Sequence, residues 1–420
     1  MVLKSDVDVA VIGAGAAGVA AAHELAAAGI DVLLVEARDR IGGRAWTLRE
    51  GQPCPLDLGC GWLHSADVNP WVEIAQELGF TIDKSPPPWA RRSREIGFAP
   101  GDYADFSRAS ELFWDRLEEA KDAEPDRPAS AFVEAGSRWI PLIESISSYY
   151  NGAALDLVST KDLGRYVDTG VNWRVVEGYG TLIAAYGADL RVAFDAPVKA
   201  IDHSGPRVKI VTPRGTISAR AAIITVPTDV LASGGIAFRP ALDDKLHAAG
   251  HLPLGLADKM FFRMQRAEDF PEGAHLFGTI DELTASYDVR PHGCAIIECY
   301  FGGALAADLE RGGAAAFENY AREQLTHQLG PDIVANISAI VSTRWRADPF
   351  ARGSYSHALP GHADDRFVLA APVGDRLFFA GEACSPEFFS TAHGAYLSGV
   401  ETARQVRASM RAPLPVGVTS

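Results

Sequence analysis

The sequence predicts an α/β protein of two interleaved domains, and three observations carry that prediction. A strand–glycine turn–helix–strand unit opens the chain, strand-like runs return near residues 197–227 and 376–382, and 420 residues exceed what one ordinary core fills. The opening unit runs Val9-Ala10-Val11-Ile12 into Gly13-Ala14-Gly15-Ala16-Ala17-Gly18, then an alanine-rich helix, then Asp31-Val32-Leu33-Leu34-Val35-Glu36. An apolar strand, a G-x-G-x-x-G turn and a helix in that order make a Rossmann-like dinucleotide-binding unit. Gly13 permits the tight turn, Gly15 lets backbone approach a pyrophosphate, and Gly18 lets helix and strand pack closely. Ala16 and Ala17 open the helix, whose free N–H groups and partial positive charge suit that pyrophosphate. Glu36 closes the second strand about 20 residues beyond the first glycine, where a carboxylate accepts from a ribose hydroxyl. An adenine dinucleotide is the expected ligand.

Composition bounds the rest. The chain is 47% apolar and 22% charged, as in globular proteins, and no apolar run approaches the roughly 18 residues of a membrane span. The first strand begins at about Asp8, which predicts no signal peptide, and the C-terminal residues show no apolar anchor. Five cysteines (Cys54, Cys60, Cys294, Cys299, Cys384) form no C-x-x-C pair, so a disulfide framework is not expected and a reducing cytoplasm fits. A net charge of −15 disfavours nucleic acid, which needs a basic footprint, and suits a cationic substrate through steering. No G-x-S-x-G elbow and no clustered His/Cys spacing suggests a serine nucleophile or a metal.

Along the chain, Leu56–His64 precedes a helix over Asn69–Leu78 that Gly79 caps, and Lys84-Ser-Pro-Pro-Pro-Trp89 reads as a domain crossing. Residues 107–150 read as helical, with Leu112, Trp114 and Leu117 on the apolar spacing. Strand-like runs follow at Pro197–Ile201, Arg207–Val211 and Ala221–Pro227, then at Met260–Met264 and Cys294–Phe301, with a long helix between them near Ala314–Leu329. The last return is Arg376–Glu382. The resulting division gives the dinucleotide domain residues 1–84, 176–238 and 345–410, the substrate domain 85–175 and 239–344, and a flexible tail 411–420.

The fingerprint does not stop at its acidic residue. It continues as Ala37-Arg38-Asp39-Arg40-Ile41-Gly42-Gly43-Arg44, and a planar guanidinium at Arg44 suits phosphate oxygens in a bidentate fork. Glu36-x(5)-Gly42-Gly43-Arg44 resembles the extended fingerprint of the FAD-dependent amine oxidase superfamily. Leu377-Phe-Phe-Ala-Gly381-Glu382-Ala383 and His393-Gly-Ala-Tyr-Leu-Ser-Gly399 resemble two further signatures of that family. The resemblance implies a two-domain amine oxidase fold with a mixed sheet and helices in the substrate domain. It implies FAD held by Gly13, Gly15, Ala16, Ala17, Gly18, Glu36, Ala37, Arg38, Gly43, Arg44, Gly61, Trp62, Val198, Trp345, Gly381, Glu382, Thr391 and Ala392. Glu382 would meet the ribityl–pyrophosphate region, and N–H groups around Thr391 and Ala392 the flavin pyrimidine edge, where a helix N-terminus stabilises charge on reduction.

The same resemblance assigns chemistry. Lys259, at the head of a strand, would hold a water against flavin N5, although a lysine there is otherwise an edge residue. Ser354 stands where monoamine oxidases carry the cysteine that bonds flavin, which implies non-covalent FAD. Tyr355 falls on one wall of the aromatic cage around the substrate amine, and Thr391 on the other. Gly61-Trp62-Leu63-His64 is similar to polyamine and spermine oxidases, with His64 contacting a substrate nitrogen; a histidine hydrogen-bonded to protein groups behind the site is the alternative reading. No methionine–arginine pair of the L-amino-acid oxidases is present in that region. The expected reaction is hydride transfer from the carbon beside a polyamine nitrogen to flavin N5, O2 reoxidation to H2O2, and hydrolysis of the imine to an aldehyde. A small-molecule amine and O2 are the expected partners, with no nucleic acid, no membrane, and a homodimer left open. Three alternatives stand beside it: oxidation of another amine such as an alkaloid or amino-acid derivative, a desaturase or protoporphyrinogen-oxidase-like enzyme, and a non-enzymatic binding protein like the Rab GDP-dissociation inhibitors.

Overall fold

The computed structural model describes residues 6–90, 98–270 and 272–411, apart from the side chain of Ile333. Of the expected tail, Arg411 ends the last helix and 412–420 lie outside the described residues. Eight strands among the described residues form the larger sheet. Asp6–Ile12 lies between Val32–Val35 and Gly215–Ile224, parallel to both. Val192–Ala193 extends it past Val32–Val35, and Leu377–Phe379 pairs parallel with Gly215–Ile224. Antiparallel Val208–Thr212 and Ala200–Asp202 continue the other side, with Ala237–Arg239 at the edge. Within the strand Asp6–Ile12, Val9–Ile12 is apolar throughout because both its faces are covered: Val9 and Val11 pack in one core, Ala10 and Ile12 in another. The helices Ala16–Ala27 and Ala392–Arg411 cross closely enough that a Cβ on Gly399 would stand 2.2 Å from the Ala17 carbonyl oxygen.

The second sheet is antiparallel, in the order Ala274–Phe277, Ser286–Val289, Ile296–Gly302, Ala257–Met264, Ile337–Ser342. Its pleat sorts side chains by face. Leu276, Tyr287, Val289, Ile297, Cys299, Phe301, Met260 and Phe262 enter one apolar core with the helix Ala314–Leu329. The opposite face carries polar groups and lines the cavity described below.

Several expectations change. The helical stretch is two helices, Asp102–Ala120 and Ile140–Asn151, parted by a short 3₁₀ turn at Ala129–Phe132. Phe106, Phe113 and Leu117 form the buried stripe of the first, and Leu112 is exposed. The strand expected from Pro197 begins only at Ala200, so Val198 lies in the segment leading into it. The long helix follows both strands it was expected to separate. Asn69 does cap its helix, accepting from the Trp71 N–H at 3.0 Å, and Gly79 takes the left-handed φ of 75° after Leu78.

Candidate active site

One large cavity, about 1060 Å³, runs between the two sheets. Of the residues expected to hold a dinucleotide, all but Gly18 line it. Gly18 stands one layer behind: a Cβ there would come within 1.9 Å of the Gly13 carbonyl oxygen, so it lets helix and strand meet. Gly18→Ala is accordingly expected to cost about 1–3 kcal/mol by overpacking, and to release the cofactor, read from the visible absorbance of the purified protein. The second glycine pair folds back on the first. Gly15 and Gly42 form a parallel bridge, Gly42 and Gly43 hold φ of 115° and 60°, and a Cβ on Gly42 would meet the Ala45 carbonyl oxygen at 2.3 Å.

Charged groups complete this end. Glu36, 4% exposed, accepts from the Ala14 N–H at 2.7 Å and the Arg38 N–H at 2.9 Å, which fixes its carboxylate at the end of its strand. Arg44 donates to Glu382 at 2.9 Å and to the Ser354 carbonyl at 2.8 Å. Glu382 also accepts from the Ser356 hydroxyl at 2.7 Å and the Ser390 N–H at 2.9 Å. Burial alone would raise the Glu382 pKa, but Arg44, Ser356 and Arg366 outweigh it and hold the carboxyl below its ordinary value. Arg38 stands on the cavity lining with its guanidinium held by Asp348 at 2.7 Å and lying over Phe350. A strand-end carboxylate, glycine loops without side chains and a helix N-terminus around an open cleft fit an adenine dinucleotide.

At the other end the polar face of the second sheet forms the wall. Cross-strand pairing sets His275 opposite Asp288 and Asp288 opposite Glu298; in the next row Ser286 faces Tyr300 and Tyr300 faces Lys259. Lys259, 5% exposed, donates to the Asp57 carbonyl at 2.8 Å and pairs with Glu298 at 2.8 Å. Arg174 pairs with Glu298 at 3.1 Å and Asp288 at 3.4 Å, and its guanidinium stacks 4.1 Å from the Trp62 ring. Burial pushes Glu298 upward, yet Lys259 and Arg174 prevail and bring its pKa down to about 2. His275 shares a 2.7 Å contact with Asp288. Two cations and two carboxylates thus largely cancel, leaving a polar wall of little net charge.

Above it, Tyr355 donates to the Tyr149 carbonyl at 2.5 Å and meets the Tyr300 hydroxyl at 2.9 Å. Burial raises Tyr355 well above its ordinary range and Tyr300 to about 12, so both remain neutral phenols. His64 Nδ1 faces Asn172 Oδ1 at 2.6 Å, while Asn172 Nδ2 donates to the Gly170 carbonyl. Burial lowers the His64 pKa, so the neutral ring donates through Nδ1 and keeps Nε2 as an acceptor. Thr391 also lines the cavity, but its hydroxyl caps the last helix, accepting from the Gly394 N–H at 2.9 Å and donating to the Phe388 carbonyl at 2.6 Å. Ser354 bridges the Ala257 N–H and carbonyl, each at 2.8 Å. Sequence reasoning missed Asn172, Arg174, Asp288, Glu298 and Tyr300, and also the mouth, where exposed Asp115, Glu118 and Asp168 stand among Trp89, Trp114, Tyr150 and Tyr166. The alternation of Glu298 and Tyr300 with Ile297, Cys299 and Phe301 was the available signal.

Comparison with known proteins agrees with this geometry. The family model for flavin containing amine oxidoreductases matches residues 16–131 and 110–407. Polyamine oxidase 5 of Oryza sativa subsp. japonica is 29% identical, with 97% of this chain and 89% of that protein covered. Polyamine oxidase 2 of Arabidopsis thaliana is 30% identical, with 95% and 88% covered. Lysine-specific histone demethylase 2 of Homo sapiens is 26% identical over 95% of this chain but only 53% of its own length. A solved structure of wild-type putrescine oxidase bound to putrescine superposes with a TM-score of 0.78 at 19% identity, covering 96% of this chain and 99% of that one, a likeness of fold. None of the described helices is long and apolar enough to cross a membrane. With the family matched over most of its length and the residues of its fingerprint gathered on one cleft, the chain belongs to the flavin containing amine oxidoreductases, FAD-dependent enzymes that oxidise amines.

Proposed function

We propose that this chain oxidises polyamines, with non-covalent FAD and with O2 as the electron acceptor. The observation that carries the reading is the mouth: exposed Asp115, Glu118 and Asp168 interleaved with aromatic rings, at the entrance of a cavity that also holds Lys259 and Tyr355. Carboxylates steer a polycation and aromatic faces stabilise its ammonium groups along the way. The likeness to two plant polyamine oxidases supports the same substrate class. FAD supplies the acceptor for a hydride equivalent from the carbon beside the reacting nitrogen. In balance, amine, O2 and water give aldehyde, a shorter amine and H2O2. The protein orients and desolvates: the neutral wall of Arg174, Asp288, Glu298 and Lys259 does not repel an amine, Tyr355 is pinned by two hydrogen bonds, and His64 Nε2 accepts from a substrate N–H. A reducing cytoplasm is proposed with it, supported by five free cysteines.

The test is anaerobic mixing of the yellow protein with spermine, spermidine, putrescine and aromatic monoamines while the flavin absorbance is followed. Rapid bleaching by a polyamine, reversed by air with release of H2O2, is the expected result; bleaching only by other amines overturns the substrate class. Because the reacting nitrogen must be neutral, the bleaching rate should rise with pH as substrate loses its proton. Neutralising the mouth as Asp115→Asn with Glu118→Gln should raise KM for spermine about three- to tenfold, less in high salt, and leave a monoamine unchanged.

A further inference from the structure

We propose that His251, His362 and Asp365 form a binding site for one divalent transition cation of the zinc class, apart from the amine-oxidising cavity, which none of them lines. Two stretches of chain build it. His251 is the last residue of the helix Asp243–His251, and His362 and Asp365 lie on the loop that folds over that helix end and starts the helix Asp365–Ala370. Backbone hydrogen bonds set the loop: Leu359 N–H to the His251 carbonyl at 3.0 Å, His362 N–H to the Leu359 carbonyl at 2.9 Å, and Asp365 N–H to the His362 carbonyl at 3.0 Å. The backbone positions of all three residues are therefore set by the fold.

Their ligand atoms converge on one point. The Nδ1 atoms of His251 and His362 lie 2.8 and 3.1 Å from the same oxygen, Oδ2 of Asp365, and the two rings stand 3.5 Å apart by centroid. One ligand atom from each residue falls within 4.8 Å of the others. Zinc takes imidazole nitrogen and carboxylate oxygen at about 2.0–2.2 Å, which spaces tetrahedral donors about 3.3 Å apart, so each histidine nitrogen is within a few tenths of an ångström of a coordinating distance from the Asp365 oxygen. Imidazole with carboxylate suits zinc and its neighbours better than magnesium or calcium, which take oxygen. The C-terminal end of a helix adds favourable potential for a cation at His251. All three residues are partly exposed, so an ion can enter and water can complete its shell. His247, one turn earlier on the same helix, sits exposed and edge-on to His251 at 4.2 Å between ring centroids. The adjacent Asp364 is engaged elsewhere, with Arg165 and Lys161.

The role implied is a clasp. Asp365 precedes Arg366, whose buried guanidinium bonds Asp162, the Ser356 hydroxyl and the Ala383 carbonyl, so the cation would fasten the helix that presents Arg366. The test uses untagged, flavin-bound protein stripped with a chelator, then titrated with Zn²⁺ against a chromophoric competitor, with the melting temperature followed in parallel. One Zn²⁺ per chain is expected, with a higher melting temperature when it is bound. His251→Ala and His362→Ala should weaken uptake at least about tenfold and abolish the thermal response, with flavin absorbance reporting that each variant is folded. Asp365→Asn, which keeps shape while removing the charge, serves if an alanine variant misfolds. Equal uptake by wild type and variants, or no stoichiometric uptake by wild type, overturns the proposal.

Discussion

Lys259→Met is expected to lower turnover by about two to four orders of magnitude, the range for loss of a positioned proton-handling group, while the protein stays yellow. Of the three N–H donors on its ammonium, one goes to the Asp57 carbonyl and one to Glu298. The third remains for a water or a ligand in the cavity that Lys259 lines. Methionine fills similar volume and removes that donor without opening the wall. Rapid-reaction traces of the two half-reactions give the check. A slow reoxidation with normal bleaching assigns Lys259 to the oxygen step, a slow bleaching to the amine step, and normal rates in both refute the role. The substitution also leaves Glu298 with Arg174 alone. Because folding lowers the Glu298 pKa to about 2, its stabilising contribution is complete above the ordinary glutamate value near 4.3 and is lost as pH falls toward 2. In the variant that depression shrinks, so its loss of stability in acid should be shallower and centred at higher pH.

The parts of this site that sequence reveals are those built from local pattern. Gly13, Gly15 and Glu36 belong to one strand–turn–helix–strand unit whose chemistry is written in adjacent residues, and they gather where that unit predicts. Contacts between distant segments are different. Arg44 reaches Glu382 across the chain, and no spacing rule shows that Arg38 meets Asp348. The strands Ala274–Phe277 and Ser286–Val289 escape notice because four residues are too few to establish a period and their polar members face a cavity instead of solvent. That oversight hid Asp288, while Glu298 lay in a run read only as a strand. Thr391 shows the converse: its position is marked by the resemblance, yet only the helix geometry reveals that its hydroxyl is committed to a cap.

Arg366→Met should produce the largest loss of stability, about 3–5 kcal/mol, the usual consequence of stranding one member of a buried ion pair. Arg366 is 0% exposed and grips both carboxylate oxygens of Asp162, at 2.6 and 2.8 Å, between two segments 204 residues apart. Removing it leaves the buried Asp162 carboxylate with the hydrogen bond from the Ala358 N–H. It also removes a donor to Ser356, which in turn holds Glu382 beside Arg44, so flavin should dissociate faster than from wild type. Urea unfolding followed by far-ultraviolet dichroism measures the first effect and flavin fluorescence on release the second. The paired variant Arg366→Met with Asp162→Leu separates the causes. Replacing both charges with apolar groups should restore much of the stability, since no carboxylate is stranded, but not the grip on Ser356. Stability recovered with flavin still lost would locate the link to the cofactor in the Arg366–Ser356–Glu382 chain. Recovery of both would show that Arg366 acts on flavin only by keeping the fold intact.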